Sequence, residues 1–168
     1  MKKSIKTMVL TAMLAALYFV LSISLKIPTV GNISLDLGYI ALTIAAVYLG
    51  ALPAAIVGGL GAAIESTLLS PYGLSIGWVV MNICIGITCG TFLFRRHFDK
   101  PSKIYKAVFV ILASVFAGVL VKTVIECLLY SIPILVKIPK SASAFFIDSF
   151  VMIFAGLPLS VALEGKIK

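Results

Sequence analysis

The sequence predicts an all-α, polytopic membrane protein: a six-helix transmembrane bundle with both termini in the cytoplasm. Of its 168 residues, 61% are hydrophobic and 12% are charged, whereas a soluble domain usually has about 45–50% apolar and about 25% charged residues. This composition excludes a soluble enzyme, a secreted disulfide-bonded domain and a disordered tail. At about 20 apolar residues per span, the chain accommodates six helices in a single membrane domain over residues 1–168.

Six apolar stretches, separated by Pro, Gly and charged residues, define the predicted helices. The first follows a lysine-rich start, is long enough to span a membrane, and has no small-residue cleavage site of a signal peptide after it. Connections are expected over residues 29–37, near Pro53, and over residues 70–73, 95–103 and 131–141. The predicted helices therefore cover about residues 7–25, 38–51, 54–69, 74–94, 104–130 and 142–163.

The distribution of Lys and Arg predicts the orientation. Ten of the 14 lie in the two terminal segments and in residues 95–106, three lie on the opposite face (Lys26, Lys137 and Lys140), and Lys122 lies within a span. Because cytoplasmic loops carry an excess of Lys and Arg, we expect both termini in the cytoplasm. The net charge of +8 then reports orientation and does not indicate nucleic-acid binding. His97 is expected to be a solvated loop residue.

Small residues recur at helical spacing in the first and third helices. Ala12 and Ala16 share one face of the first helix, and such a spacing lets another helix approach closely in lipid. The sequence does not decide between packing inside the bundle and contact with a partner subunit. In the third helix, packing inside the bundle is the favoured interpretation for two adjacent ridges, formed by residues 54, 58 and 62 and residues 55, 59 and 63.

Polar side chains within the spans form the candidate site. Intramembrane charges are costly and usually face a cavity or the bundle interior, which makes them functional candidates. With the predicted orientation all of them fall in the outer half of the membrane, and Asp148 is expected about one and a half turns from the outer end of its helix. They predict a pocket that opens outward. The set comprises Glu65, Trp78, Asn82, Lys122, Glu126 and Asp148.

The residue types indicate a site for a small ring compound. Trp78 offers a face for stacking, and the amide of Asn82 offers one acceptor and two donor hydrogens to a ring edge. Lys122 and Glu126 either neutralise each other or join the pocket, whereas Glu65 and Asp148 suit ligand donors. The alternative for Trp78 is an interfacial anchor, and an aromatic belt is expected at the outer surface. The belt would include Tyr39, Tyr72 and Tyr130.

No motif for catalysis is present. The sequence has no P-loop, no zinc-type His/Glu motif and no His-containing catalytic cluster. Cys84, Cys89 and Cys127 lie in apolar stretches without paired spacing, so they predict neither disulfides nor a metal site. We therefore expect no catalytic residue, cofactor or metal, and a protein that does not itself hydrolyse ATP.

The chain resembles the substrate-binding S components of energy-coupling-factor (ECF) vitamin transporters over nearly its whole length. The resemblance rests on four segments of the sequence and on the six short spans. Where the family often has Gly-Pro, this chain has Gly-Ala, with the proline displaced to Pro53. The four segments are Ala12-Met13-Leu14-Ala15-Ala16, Lys26-Ile27-Pro28, Leu35-Asp36-Leu37-Gly38 and the stretch from Tyr48 to Gly59.

The resemblance implies a function and partners. A vitamin or vitamin precursor would bind between the first external loop, which contains Asp36, and the polar residues of the later helices. Ala12 and Ala16 would dock on a transmembrane coupling subunit, and two cytoplasmic ATPases would drive import across a bacterial cytoplasmic membrane.

The vitamin itself stays open. The pattern is closest to the riboflavin-type and pyrimidine-precursor-type branch. A neutral or weakly basic ring such as hydroxymethylpyrimidine, pyridoxine or a thiamine-like molecule fits the acidic bias better than folate or pantothenate. Two other classes of function are an intramembrane enzyme that uses Glu126 and Asp148 as acid and base, and a small membrane scaffold.

Overall fold

A computed structural model describes residues 2–24, 27–28, 34–69, 73–94, 101–131 and 133–167. The predicted turn at residues 70–72 and the segment 95–100, which includes His97, lie outside the described residues. The rest forms helices and one short antiparallel β-ladder in which Ile27 pairs with Leu35. The elements are α1 (Lys2–Ser24), β1 (Ile27–Pro28), β2 (Ser34–Leu35), α2 (Gly38–Tyr48), α3 (Ala51–Leu69), α4 (Ile76–Leu93), α5 (Pro101–Tyr130), α6 (Ile134–Val151), a π-helical turn (Met152–Gly156) and α7 (Leu157–Ile167).

Five helical segments are long and apolar enough to cross a membrane: α1, α3, α4, α5 and the continuous run from α6 through the π-helical turn into α7. The sixth, α2, is apolar but has only 11 residues. At 1.5 Å per residue it is about 17 Å long, roughly half of a hydrocarbon core of about 30 Å. The helical membrane bundle that the composition predicts is therefore present. The number of crossings and the orientation stay predictions.

Helix α2 occupies the centre of the bundle. Eight of its residues are buried, and it packs against α1, α3, α4, α7 and the π-helical turn. A helix that is hydrophobic on all sides is expected to be enclosed in this way. We call the end of the bundle that contains β1, β2 and the first residue of α2 the hairpin end. The last turns of α1, α3 and α5 and the first turn of α4 lie at this same end.

Helices α3 and α4 approach each other very closely, and small residues make this possible. A Cβ atom added to Gly86 would lie 2.6 Å from the backbone oxygen of Ala54, and one added to Gly58 would lie 2.8 Å from the backbone oxygen of Asn82. Ala54, Gly58 and Ala62 are buried. The small residues of the third helix thus serve packing inside the bundle, as the favoured interpretation predicted.

Two prolines that were predicted to lie in connections lie instead in the first turns of helices. Helix α3 begins at Ala51 and not at residue 54, because Pro53 falls in its first turn, where its missing N–H has no intrahelical partner to lose. Helix α5 begins at Pro101 and not at residue 104, since proline suits the first helical position. Gly50, with φ of +94°, makes the tight turn between α2 and α3, so α2 ends at Tyr48 and not at residue 51.

The predicted loop over residues 131–141 is wrong. After a turn in which Ser131 has φ of +52°, α6 begins at Ile134 and continues through Pro139. Two contacts with α5 hold this first part of α6: Lys137 Nζ lies 2.5 Å from Glu126 Oε2, and the hydroxyls of Thr123 and Ser141 are 2.7 Å apart. Asp148 consequently lies nearly four turns, at 3.6 residues each, from the start of its helix, and not one and a half.

Candidate functional site

The polar side chain of Asn82 is held in one orientation. Asn82 is fully buried because α4 turns this face toward α1 and α2. Its Nδ2 donates to the backbone oxygen of Trp78, one turn earlier, at 2.9 Å. This contact leaves Oδ1 as the acceptor that faces the bundle interior, where the hydroxyl of Tyr18 donates to it at 3.2 Å.

Asp36 is the best-satisfied carboxylate of the site. Its Oδ1 accepts from the hydroxyl of Ser22 at 2.6 Å and from the backbone N–H of Gly38 at 2.8 Å, and its Oδ2 accepts from Tyr18 at 3.1 Å. The contact with Gly38 places the negative charge at the N-terminus of α2, where the helix dipole favours it. Tyr18 has one hydroxyl proton for two acceptors, Asp36 and Asn82, so it donates fully to only one at a time.

Three aromatic rings form a continuous row from α1 to α4. Tyr18 and Tyr39 meet edge to face with centroids 6.3 Å apart, and Tyr39 and Trp78 do the same at 6.3 Å. Lys122 Nζ lies 4.4 Å from the centroid of the Trp78 ring, within the range of a cation–π interaction. The predicted site residues Trp78 and Lys122 are therefore in direct contact.

Asp148 joins this row through Tyr39, whose hydroxyl donates to Asp148 Oδ2 at 3.3 Å. Asp148 also interacts electrostatically with Lys122. Glu65 is buried and lies near enough to interact electrostatically with Tyr18, Tyr39 and Asp148. One connected group thus contains six of the seven ligand-binding residues that the sequence predicts: Asp36, Glu65, Trp78, Asn82, Lys122 and Asp148.

Glu126 pairs with a residue that the sequence analysis did not suggest as its partner. Its direct ionic partner is Lys137 of α6, a residue predicted to lie in a loop. Lys122 and Glu126 interact electrostatically but, among the described residues, form no direct ion pair. Gly77 of α4 lies against Glu126, since a Cβ added there would be 2.8 Å from Glu126 Cγ. Glu126 and Asp148, considered above as an acid–base pair, make their direct contacts with different residues, Lys137 and Tyr39.

The connected group is rich in buried carboxyl groups, those of Asp36, Glu65 and Asp148. Lys122 interacts electrostatically with Asp148 and also with Lys137 and Lys140. Because carboxylate oxygens accept hydrogen bonds, the arrangement suits a ligand that presents hydrogen-bond donors. Among the described residues, no group of three His, Cys, Asp or Glu side chains is placed to hold a metal ion.

Ala12 and Ala16 lie on the opposite face of α1 from Tyr18. Both are exposed and belong to an apolar surface of α1 with no partner among the described residues. The large exposed side chains beside them include Met8, Met13 and Val20. This surface differs from the small-residue ridges of α3, which are covered by α1 and α4.

Sequence reasoning missed three residues of the connected group, Tyr18, Ser22 and Tyr39. It also missed Lys137, the ionic partner of Glu126. Tyr39 was expected in an interfacial belt but is fully buried. The signal for Tyr18 and Ser22 was their one-turn spacing on the face of α1 away from Ala12, which places two hydroxyls side by side within a span. Lys137 was missed because the loop prediction removed it from any helix.

The comparisons with known proteins identify a family for this chain. A family model described as "ECF-type riboflavin transporter, S component" matches residues 2–165. No curated protein matches the chain.

Proposed function

Because the chain belongs to the family of ECF-type riboflavin transporter S components, we propose that it binds a small B-vitamin or vitamin precursor at the hairpin end and delivers it through a partner coupling subunit. The observation that carries this proposal is the connected group around Trp78. A buried aromatic wall, a fixed amide and several carboxylates converge there, which is the usual form of a small-molecule site. As an S component, the protein is a multi-pass membrane transport subunit.

The carboxyl groups of the site favour one class of ligand. Several carboxyl groups close together disfavour an anionic ligand such as folate or pantothenate, which would bring further negative charge. Hydroxymethylpyrimidine, pyridoxine and thiamine-like molecules offer amino, hydroxyl or positively charged ring groups. Riboflavin, which the family description names, offers the hydroxyl donors of its sugar-alcohol chain together with a ring that can stack on Trp78.

The orientation follows from the basic residues. We place the hairpin end outside and the 95–106 segment in the cytoplasm of a bacterial cell, because ten of the 14 Lys and Arg are then cytoplasmic. The site then lies toward the outer end of the bundle, as capture from the environment requires. Release inward needs the coupling subunit and two ATPases, and the exposed surface around Ala12 and Ala16 is the proposed contact with that subunit.

Binding to the purified full-length chain tests the proposal. Trp78 is the sole tryptophan, so its fluorescence reports on the site directly. We expect at least one of the four favoured vitamins to quench it and to bind stoichiometrically without ATP, whereas folate and pantothenate do not. Asp148→Asn should weaken binding at least tenfold, which is about 1.4 kcal/mol, because it removes a carboxylate that faces the ligand.

Lys6→Gln is the matched control, since Lys6 is an exposed residue of α1 far from Asp148 along the bundle. It should bind as the unchanged protein does. Absence of binding by all six compounds, or equal affinity in Asp148→Asn, would contradict the proposed site. Chemical turnover of a bound compound that Asp148→Asn abolishes would favour the enzyme alternative.

A further inference from the structure

A concave feature lies away from the connected group. The last turns of α4 and the first half of α5 enclose a groove of about 260 Å³. This is near the opposite end of the bundle from the hairpin end, because α4 ends and α5 begins there. The volume is below the roughly 300–1,000 Å³ of typical small-molecule pockets. The groove is lined by Thr88, Phe92, Phe109, Val110, Ala113 and Ser114.

The two hydroxyls that line the groove are already hydrogen-bonded within the protein. Thr88 Oγ1 donates back to α4, with the backbone oxygens of Cys84 and Ile85 at 2.8 and 3.2 Å. The hydroxyl of Ser114 and the thiol of Cys89 share a side-chain hydrogen bond. Neither hydroxyl needs a polar partner in the groove, and the remaining lining is aromatic or aliphatic. The groove is therefore a hydrocarbon surface, and its occupant needs to be a hydrocarbon.

Positive charge lies directly beside the groove. Lys106 is exposed and precedes Phe109 and Val110 by three and four residues, which places it on the same face of α5 one turn nearer the helix start. Phe109 is 73% exposed, so the groove opens to the surroundings of the bundle and not into its core. In sequence the same end also carries Arg95, Arg96, Lys100 and Lys103.

We propose that this groove binds an anionic phospholipid, with one acyl chain along Phe109 and Ala113 and the phosphate beside Lys106. Lys106 lies nearer the end of the bundle than Phe109 and Ala113 do. This order matches a lipid, whose headgroup lies toward the membrane surface and whose chain lies deeper. Basic residues next to apolar clefts between membrane helices recognise acidic headgroups in this way. A partner helix, about 10 Å across with its side chains, is too wide to fill the groove and offers no reason for the adjacent lysine.

Retention of lipids by the purified full-length chain tests this inference. Phosphatidylglycerol and phosphatidylcholine with identical chains are added in detergent, and bound lipids are counted by native mass spectrometry. We expect at least fivefold more protein with bound phosphatidylglycerol. Lys106→Gln should bring this preference down to the level of phosphatidylcholine, and Ala113→Leu, which fills the groove, should reduce retention of both lipids.

Matched controls separate the groove from general effects. Ala117→Leu adds the same volume at an exposed residue of α5 one turn farther on, and Lys6→Gln removes a charge on α1; both should retain lipid as the unchanged protein does. Lys106→Gln changes an exposed side chain, so the test remains decisive even if Ala113→Leu does not fold. Equal retention of the two lipids, or an unchanged preference in Lys106→Gln, would overturn the inference. It would also be overturned if Ala113→Leu lost the coupling subunit but kept the lipid.

Discussion

Tyr18 shows how one side chain connects three parts of the molecule. It lies on α1, and its hydroxyl reaches both Asp36 before α2 and Asn82 on α4. Its ring fills space left by Gly38 and Gly61, where any Cβ would collide with it. The residue that anchors the inner face of α1 is therefore also part of the candidate site.

We expect Tyr18→Phe to lower the free energy of unfolding by about 1–3 kcal/mol, because two buried acceptors lose their shared donor. The ring itself remains, so packing against Gly61 is retained. Thermal unfolding in detergent measures the change, with Tyr105→Phe as the control. Tyr105 is 76% exposed, and its variant should unfold at the unchanged temperature. Equal unfolding temperatures for Tyr18→Phe and the unchanged protein would show that the two hydrogen bonds contribute little.

At this scale the sequence predicted charged residues better than hydroxyl-bearing ones. Glu65, Lys122 and Asp148 are predicted because an ionised group within a span is rare and costly, whereas Asp36 is predicted from the family resemblance. Tyr18 and Tyr39 carry no such signal, since tyrosine is equally at home in a core and at a membrane surface. Their roles depend on which helices meet, and a single sequence does not reveal that.

Among the helices, the α3–α4 pair depends most on backbone contact. Gly86 and Gly90 of α4 face the first turns of α3, and a Cβ on Gly90 would meet the Ala51 backbone at 2.5 Å. Gly59 also faces α4, but there a Cβ would meet only side-chain atoms of Ile83, Cγ1 at 2.8 Å and Cδ1 at 3.1 Å. A flexible side chain can move aside, whereas a helix backbone cannot.

Gly86→Ala should therefore cost about 1–3 kcal/mol of stability, the usual range for overpacking a core. Gly59→Ala is the matched control and should be close to neutral, because the better helix propensity of alanine, up to about 1 kcal/mol, offsets the movement of Ile83. Thermal unfolding of the two variants side by side measures the difference. A Gly86→Ala protein as stable as Gly59→Ala would contradict the close approach of α3 and α4.

Helix positions were predictable from hydropathy, but several boundaries were not. The sequence predicts that Pro53, Pro101 and Pro139 lie in connections, yet the first two lie in first turns and the third lies within α6. Lys137 and Ser141 hold the first part of α6, which follows Pro133, against α5. Tertiary contacts of this kind override local sequence preferences and leave no periodic pattern in the sequence.

For the whole molecule, the two faces of α1 differ in what they contact. The inner face holds Asp36 through Tyr18 and Ser22, and the outer face presents Ala12 and Ala16. The chain composition predicted the membrane bundle because few charges remain after the helices are assigned. It did not predict that α2 is short and central, since an 11-residue apolar run has no sequence feature that marks it as enclosed.

We expect Ala12→Leu and Ala16→Leu, each alone, to prevent copurification with the coupling subunit, because the added side chain blocks close approach of a helix. Vitamin binding by the isolated chain should be unchanged, since the substituted residues face away from Trp78. Ala117→Leu on α5 is the matched control and should leave the complex intact. Complexes recovered in equal yield from all three variants would place the contact with the coupling subunit elsewhere.

The π-helical turn at Met152–Gly156 amounts to one additional residue in an otherwise α-helical segment. Because an α-helix turns by about 100° per residue, everything after this turn is rotated by that amount relative to Asp148. The rotation directs Ser160, whose backbone oxygen accepts from Tyr48 at 2.6 Å, toward α2. The parts of the last transmembrane segment before and after the π-helical turn are therefore oriented about the helix axis independently of each other. A one-residue deletion inside the turn would convert it to regular α-helix and would leave both Ser160 beside Tyr48 and Asp148 beside Tyr39.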